Sequence, residues 1–236
     1  MFDFTDKVIV VTGAAGNLGG AVVDAFLAAG GTVCGLDHRQ GRLAGMFSEQ
    51  GGNLHIYENT DLTDREALIA LGERIQAEVG RVDVLVNTVG GFTMGERVEQ
   101  ISAETWGRMM NINVISLLNA AAAFVPGMLS AGKGKVVSVG SGAALKGGAK
   151  MGAYAAAKAA VLRLTESMAV ELKEKNIQAN CILPGTIDTP ENRQSMPNAD
   201  FDKWVTPEQV AQVILFLSSP DADAVSGAAV PIKGRS

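Results

Sequence analysis

Short runs of apolar, β-branched residues alternate with longer stretches whose apolar positions recur every three to four residues. Lys7–Val11, Thr32–Leu36, Leu54–Tyr57, Val82–Val86, Lys135–Val139, Ile177–Leu183 and Ala229–Ile232 read as strands. Leu18–Ala29 places Leu18, Val22, Ala25, Phe26 and Ala29 on one helical face, and Gly30-Gly31 stops it. Thr63–Val79 is helical, with Thr63 and Glu66 at the spacing of a capping box. A helical stretch from Ser102 is interrupted before Asn113 and continues to Ala131. Met151–Lys175 is a long Ala-rich helix, and Pro207–Leu217 follows Thr206 as its cap. Strands that are apolar throughout and separated by helices predict an α/β fold. Its parallel sheet of about seven strands is doubly wound, with helices on both faces. No repeat or linker divides residues 1–236, so a single domain is expected.

Composition narrows the function. Apolar residues make up 47% of the 236, enough for a sizeable core. Glycine, at 28 residues, is in excess and implies tight turns or close backbone approach. The net charge is −5 with no basic stripe, so no nucleic-acid partner is expected. The acidic start Met1–Lys7 does not read as a signal peptide. Val114–Leu129 is broken by Ser116, Asn119 and Pro126, and no membrane partner is expected. Cys34 and Cys181 sit inside strand-like runs, which fits the reducing cytoplasm rather than a disulfide framework. His38 and His55 form no ligand cluster with them, so no metal site is expected.

The candidate chemistry starts where the first strand runs into Thr12-Gly13-Ala14-Ala15-Gly16-Asn17-Leu18-Gly19 and then a helix. Glycines let backbone come close to a pyrophosphate, and the helix N-terminus offers free N–H groups. Asp37 follows the second strand, 18 residues after Gly19. A carboxylate there accepts hydrogen bonds from ribose hydroxyls and repels a 2′-phosphate, which favours NAD(H). Arg39 leaves NADP(H) open, because an Arg can meet that phosphate. Tyr154 and Lys158 are four apart on one helix face. A nearby ammonium would lower the Tyr pKa toward that of a useful acid/base. Ser141, 13 residues before Tyr154, could polarise a substrate carbonyl.

Together these motifs resemble the short-chain dehydrogenase/reductase family over essentially the whole chain, which implies a Rossmann-type sheet. The family's glycine motif falls on Thr12-Gly13 through Gly19, with Gly16 and Leu18 beside Asn17. Its adenine-side acid falls on Asp61-Leu62, and its strand-four motif on Asn87-Thr88-Val89-Gly90. Its active-site Asn falls on Asn113, and its nicotinamide segment on Pro184-Gly185-Thr186-Ile187 with Thr189. The resemblance implies Tyr154 as general acid/base, Lys158 as holder of the nicotinamide ribose and Ser141 as stabiliser of the reacting oxygen. It implies that Asn113 holds a relay water. It also implies a small-molecule carbonyl or alcohol substrate, and a homodimer or homotetramer paired through the helices at Asn113–Ala131 and Met151–Lys175. Two positions depart from the pattern. Asn17 replaces the middle glycine, and Thr88-Val89 replaces Asn-Ala.

The substrate end is read from two loops, Gly90–Gly95 and Thr189–Phe201. Phe92, Met94, Met151, Met196 and Asn192 are candidate pocket residues; the apolar ones read equally as core or oligomer contacts. The second loop is short and predicts an open site. Asp188-Thr189-Pro190, Asn192-Arg193 and Ser195-Met196-Pro197 resemble quinonoid dihydropteridine reductases. A pteridine or 3-ketoacyl reductase is therefore the enzyme alternative, and a non-catalytic NAD-binding regulator the alternative of another class.

Overall fold

The computed structural model describes residues 2–47 and 52–235. Met1, residues 48–51 and Ser236, which the expected 1–236 domain includes, lie outside the described residues. Seven strands are seen: β1 (Val8–Thr12), β2 (Thr32–Leu36), β3 (Leu54–Tyr57), β4 (Val84–Asn87), β5 (Gly134–Val139), β6 (Ile177–Pro184) and β7 (Ala229–Ile232). They form one parallel sheet in the order β3-β2-β1-β4-β5-β6-β7. This is the doubly wound α/β fold that the apolar strands predict.

The alternation of side chains explains why whole strands are apolar. Ile9, Val11, Val84, Val86 and Val137 face one layer, with α1 (Asn17–Ala28) and α8 (Pro207–Ser218). Val10, Leu85 and Val136 face the other, with α3 (Arg65–Glu78), α5 (Ser116–Ala131) and the C-terminal part of α6 (Gly152–Leu172). The chain winds outward from β1 to β3, then returns to pair β4 with β1. That reversal opens a crevice at the carboxyl ends of the two central strands, where Thr12 pairs with Asn87.

Helix ends follow local chemistry, with one correction. Thr206 and Gln209 form a reciprocal capping box on α8. Ser102 caps α4 (Ala103–Met110) by accepting from Thr105 N–H. Thr63 does not cap α3; Asp64 does, accepting from Ala67 N–H. Thr63 instead donates its hydroxyl to Asp61 at 2.7 Å. The interruption expected before Asn113 is a π-helical stretch, Asn111–Ile115, and the backbone stays helical from 103 to 131. That run is long and apolar enough to cross a membrane by length and composition, with mean hydropathy 1.7. Half of its most apolar window is buried, with Ala120, Phe124 and Met128 in the core against the sheet and α3.

Two short helices lie where loops are expected: α2 (Arg42–Met46) and α7 (Pro190–Ser195), the latter inside the substrate loop.

Candidate active site

The glycine loop is shaped by backbone demands. Gly13 adopts φ +66°, in the left-handed region. A Cβ at Gly19 would sit 2.1 Å from the carbonyl oxygen of Gly13. Helix α1 therefore starts tight against the end of β1. Its N-cap is Gly16, with no capping side chain, so first-turn amides stay available to an anion.

Asp37 directly follows β2, with its side chain 2% exposed. It accepts from Ala15 N–H at 3.1 Å and from Arg39 through both the backbone N–H and Nε at 3.0 Å. Burial alone would raise its pKa, but the Arg39 bonds and charge, with Ala15, hold it below the usual carboxylate range. The carboxylate expected to meet ribose thus also ties the glycine loop to β2. Asp61 and Leu62 line the same crevice as Asp37, with Asn59, Thr60 and Thr63.

Lys158 comes from the first half of α6. Its Nζ is buried and donates to the carbonyl oxygen of Val139 at 2.9 Å. Burial pulls its pKa down to about 8, partly opposed by neighbouring Cys181. Tyr154, one turn earlier, is half-buried, and Phe92 lies edge-on to its ring with centroids 4.9 Å apart. Burial raises the Tyr154 pKa, and a hydrogen bond with Ser141 opposes the rise. Ser141 contributes a lowering, and Lys158, expected to contribute another, is anchored on Val139 O. Ser141 is held in place by accepting from Ala143 N–H at 3.2 Å.

Asn113 stands in the π-helical stretch. Its amide donates to Gly91 O and Met109 O at 3.1 and 3.0 Å, and its Oδ1 accepts from Gly91 N–H at 3.2 Å. The side chain expected in a water relay clamps the loop after β4. Gly90 leaves room for this arrangement: a Cβ there would lie 2.8 Å from Lys158 Nζ and 2.9 Å from Asn113 Oδ1. Thr88, where the family has an amide, restores bracing by donating to Thr12 O at 2.5 Å. Asn87 is buried beneath the crevice.

The crevice measures about 1140 Å³. Gly13, Gly16, Asn17, Leu18, Gly19, Asp37, Asp61, Leu62, Gly90 and Thr189 all line it. Pro184, Gly185 and Ile187 lie along the chain leading into that wall; Gly185 N–H bonds Ile232 O, and Ile187 bridges to Val205. Glu104, Gly107, Arg108, Asn111 and Ile112 of the α4 run also line the crevice, although none belongs to a motif read from the sequence. Their i, i+3, i+4, i+7, i+8 spacing marks one helix face and was the available signal. Of the pocket candidates, Met94 is 60% exposed and Met151 packs toward Gly148. Asn192, also a pocket candidate, donates from its amide to Ile187 O at 2.8 Å and braces the loop. Among the described residues no cluster of His, Cys, Asp or Glu is arranged to hold a metal ion.

These residues fit a dinucleotide. Gly13, Gly16 and Gly19 line the crevice, the N-terminus of α1 has no side-chain cap, and the Asp37 and Asp61 carboxylates belong to the same lining. Residues 7–200 match the family of short chain dehydrogenases. A 3-oxoacyl-[acyl-carrier-protein] reductase FabG from Thermotoga maritima is 32% identical, covering 97% of this chain and 96% of its own. A 2-(S)-hydroxypropyl-CoM dehydrogenase from Xanthobacter autotrophicus is also 32% identical with the same coverage. An NADPH-bound short chain oxidoreductase from Pseudomonas aeruginosa superposes with TM-score 0.91 at 26% identity, covering 99% of this chain and 98% of that one. With fold, crevice and relatives in agreement, the chain belongs to the short chain dehydrogenase family and is a nicotinamide-dependent oxidoreductase of carbonyl and alcohol groups.

Proposed function

We propose that the whole chain acts as one domain that reduces a small ketone, or oxidises the matching alcohol, with Tyr154 as general acid/base. The hydrogen bond between Tyr154 and Ser141, with Lys158 one turn further along the same helix and its Nζ beside Gly90 of the crevice lining, carries this reading. The nicotinamide, when bound, supplies or takes up the hydride. Tyr154 Oη then delivers the proton to the carbonyl oxygen, and Ser141 Oγ holds that oxygen. Lys158 would hold the nicotinamide ribose and keep a cation near Tyr154. Asn113 positions Gly90-Gly91 beneath both. Tyr154→Phe removes only the proton donor. Turnover should fall ~10²–10⁴-fold with cofactor affinity nearly intact; turnover within about twofold of wild type sinks the assignment.

NAD(H) is the proposed cofactor, because the Asp37 carboxylate lines the adenosine end. The charge, not the shape, is the argument, so Asp37→Asn is the informative variant: it keeps an acceptor for Ala15 N–H. Dissociation constants for NADH and NADPH should converge in this variant. Tighter NADPH binding by the wild type would instead make Arg39 the deciding residue.

Free buried Cys34 and Cys181 support a cytoplasmic setting. The FabG relative favours a 3-oxoacyl substrate as the second reading. For either ketone class, Ser141→Ala should cost ~10²–10³-fold. Fast reduction of a quinonoid dihydropterin, indifferent to Ser141→Ala, would favour the pteridine reading, and NADH binding without any turnover the regulator.

A further inference from the structure

The loop after β4 holds an aromatic ring in the open beside the reacting hydroxyls. Phe92 is 57% exposed, yet the residues around it are fixed. Gly91 N–H donates to Asn113 Oδ1, and its carbonyl oxygen accepts from Asn113 Nδ2, at 3.2 and 3.1 Å. Thr93 Oγ1 accepts from Arg108 Nη2 at 3.3 Å. Gly95 N–H donates to Lys150 O at 2.9 Å, which ties the loop to the segment between Ser141 and α6. The Phe92 ring itself stands 4.9 Å from the Tyr154 ring, centroid to centroid, with the planes at 82°. It is therefore held by the bonds around it rather than by burial, and much of its surface is free. Such a ring is no core residue.

Two further apolar side chains share this setting. Met94, on the same loop, and Leu145 are each more than half exposed. Leu145 leaves the turn built on Ser141, where Ala143 N–H donates to the hydroxyl and Ala144 N–H to the carbonyl oxygen. Large apolar side chains left in solvent next to reacting groups mark a contact surface.

We propose that Phe92 is a specificity-determining residue, and that the substrate is a ketone with an aromatic ring on its carbonyl carbon. This rests on the reading of Tyr154 as the proton donor. With the carbonyl oxygen at the Tyr154 and Ser141 hydroxyls, the substituent on the Tyr154 side meets the Phe92 ring. A flat ring gains from edge-on or offset contact with an aromatic beyond the apolar area it buries. A partner already held in place loses little entropy on contact. A short alkyl group gains less on both counts. Met94 and Leu145 add apolar surface for the same group.

Acetophenone and butan-2-one, each assayed with NADH and with NADPH, test this through the ratio of their kcat/KM values. The wild type should favour acetophenone by about 10-fold or more. Phe92→Ala should cut that ratio about 10-fold, chiefly through a raised KM for acetophenone. Phe92→Leu keeps apolar bulk without the aromatic face and should cut it less. The ratio cancels any general loss of activity. An equal loss on both ketones would make Phe92 a mere support for Tyr154, and an unchanged ratio with smaller species in sedimentation would make it an oligomer contact; either overturns the proposal alone. So does wild-type preference for butan-2-one, or for the charged ketone pyruvate, which exposed Lys146 and Lys150 would attract. Full turnover by Tyr154→Phe, or no turnover of any ketone by the wild type, overturns the proton-donor reading and this one together.

Discussion

A single methyl group decides whether Lys158 can reach its place. At residue 90 it would meet both Lys158 Nζ and Asn113 Oδ1 within 3 Å. Gly90→Ala should therefore lower turnover at least ~10-fold while leaving far-UV circular dichroism unchanged; wild-type turnover would show that the site yields without cost. The burial of Lys158 has a measurable sign. Its folded pKa of about 8 lies below the ordinary 10.5, so the unfolded chain binds more protons between those values. Wild-type stability then rises as pH climbs through this window, and below it the buried cation costs roughly 3 kcal/mol. Lys158→Met, though inactive, should be more stable than wild type near neutral pH by up to about that amount, with the gap closing toward pH 10. Urea titrations at the two pH values check it, and a less stable variant would mean that the bond to Val139 outweighs burial. Tyr154, Lys158 and Ser141 were legible because helix spacing and strand ends fix where they point. The Asn113 clamp was not, because it depends on which backbone groups come near in three dimensions.

At the scale of elements, every strand was legible from its apolar run; β1, β2, β4, β5 and β6 are covered on both faces, and the edge strands β3 and β7 only in part. The misses have local causes. Arg42–Met46 and Pro190–Ser195 are five and six residues long, too short to show a period within polar surroundings. Thr63 had the right spacing for a cap, but its hydroxyl is engaged by Asp61, and Asp64 takes the position. The strand–turn–helix of the phosphate loop makes the sharpest prediction here. Gly19→Ala places a Cβ against backbone rather than a flexible side chain. It should destabilise the fold by about 1–3 kcal/mol and abolish dinucleotide binding, read by thermal unfolding with and without NADH. A normal ligand-induced rise in Tm would show that the loop can open without losing function.

For the molecule as a whole, the helical layers leave apolar side chains on the surface. Val170 on α6 is 67% exposed, and Leu118 and Leu129 on α5 and Trp106 on α4 are each more than a third exposed. The α5 and α6 surfaces are the proposed contacts of a dimer or tetramer, and Val170→Glu should shift sedimentation toward smaller species; an unchanged profile places the contact elsewhere. The helical run from 103 to 131 connects this outer layer to the crevice. Its first half presents Glu104, Arg108 and Asn111 to the crevice, and its second half presents Ala120, Phe124 and Met128 to the core. The π-helical stretch between them adds one residue to the winding, which offsets the two halves by about 100°. Deleting any residue from 111 to 115 would restore an even helix, yet it would turn one half away from its neighbours. A change of one in the length of this helix would thus disturb crevice and core together, where a single substitution disturbs only the side it faces.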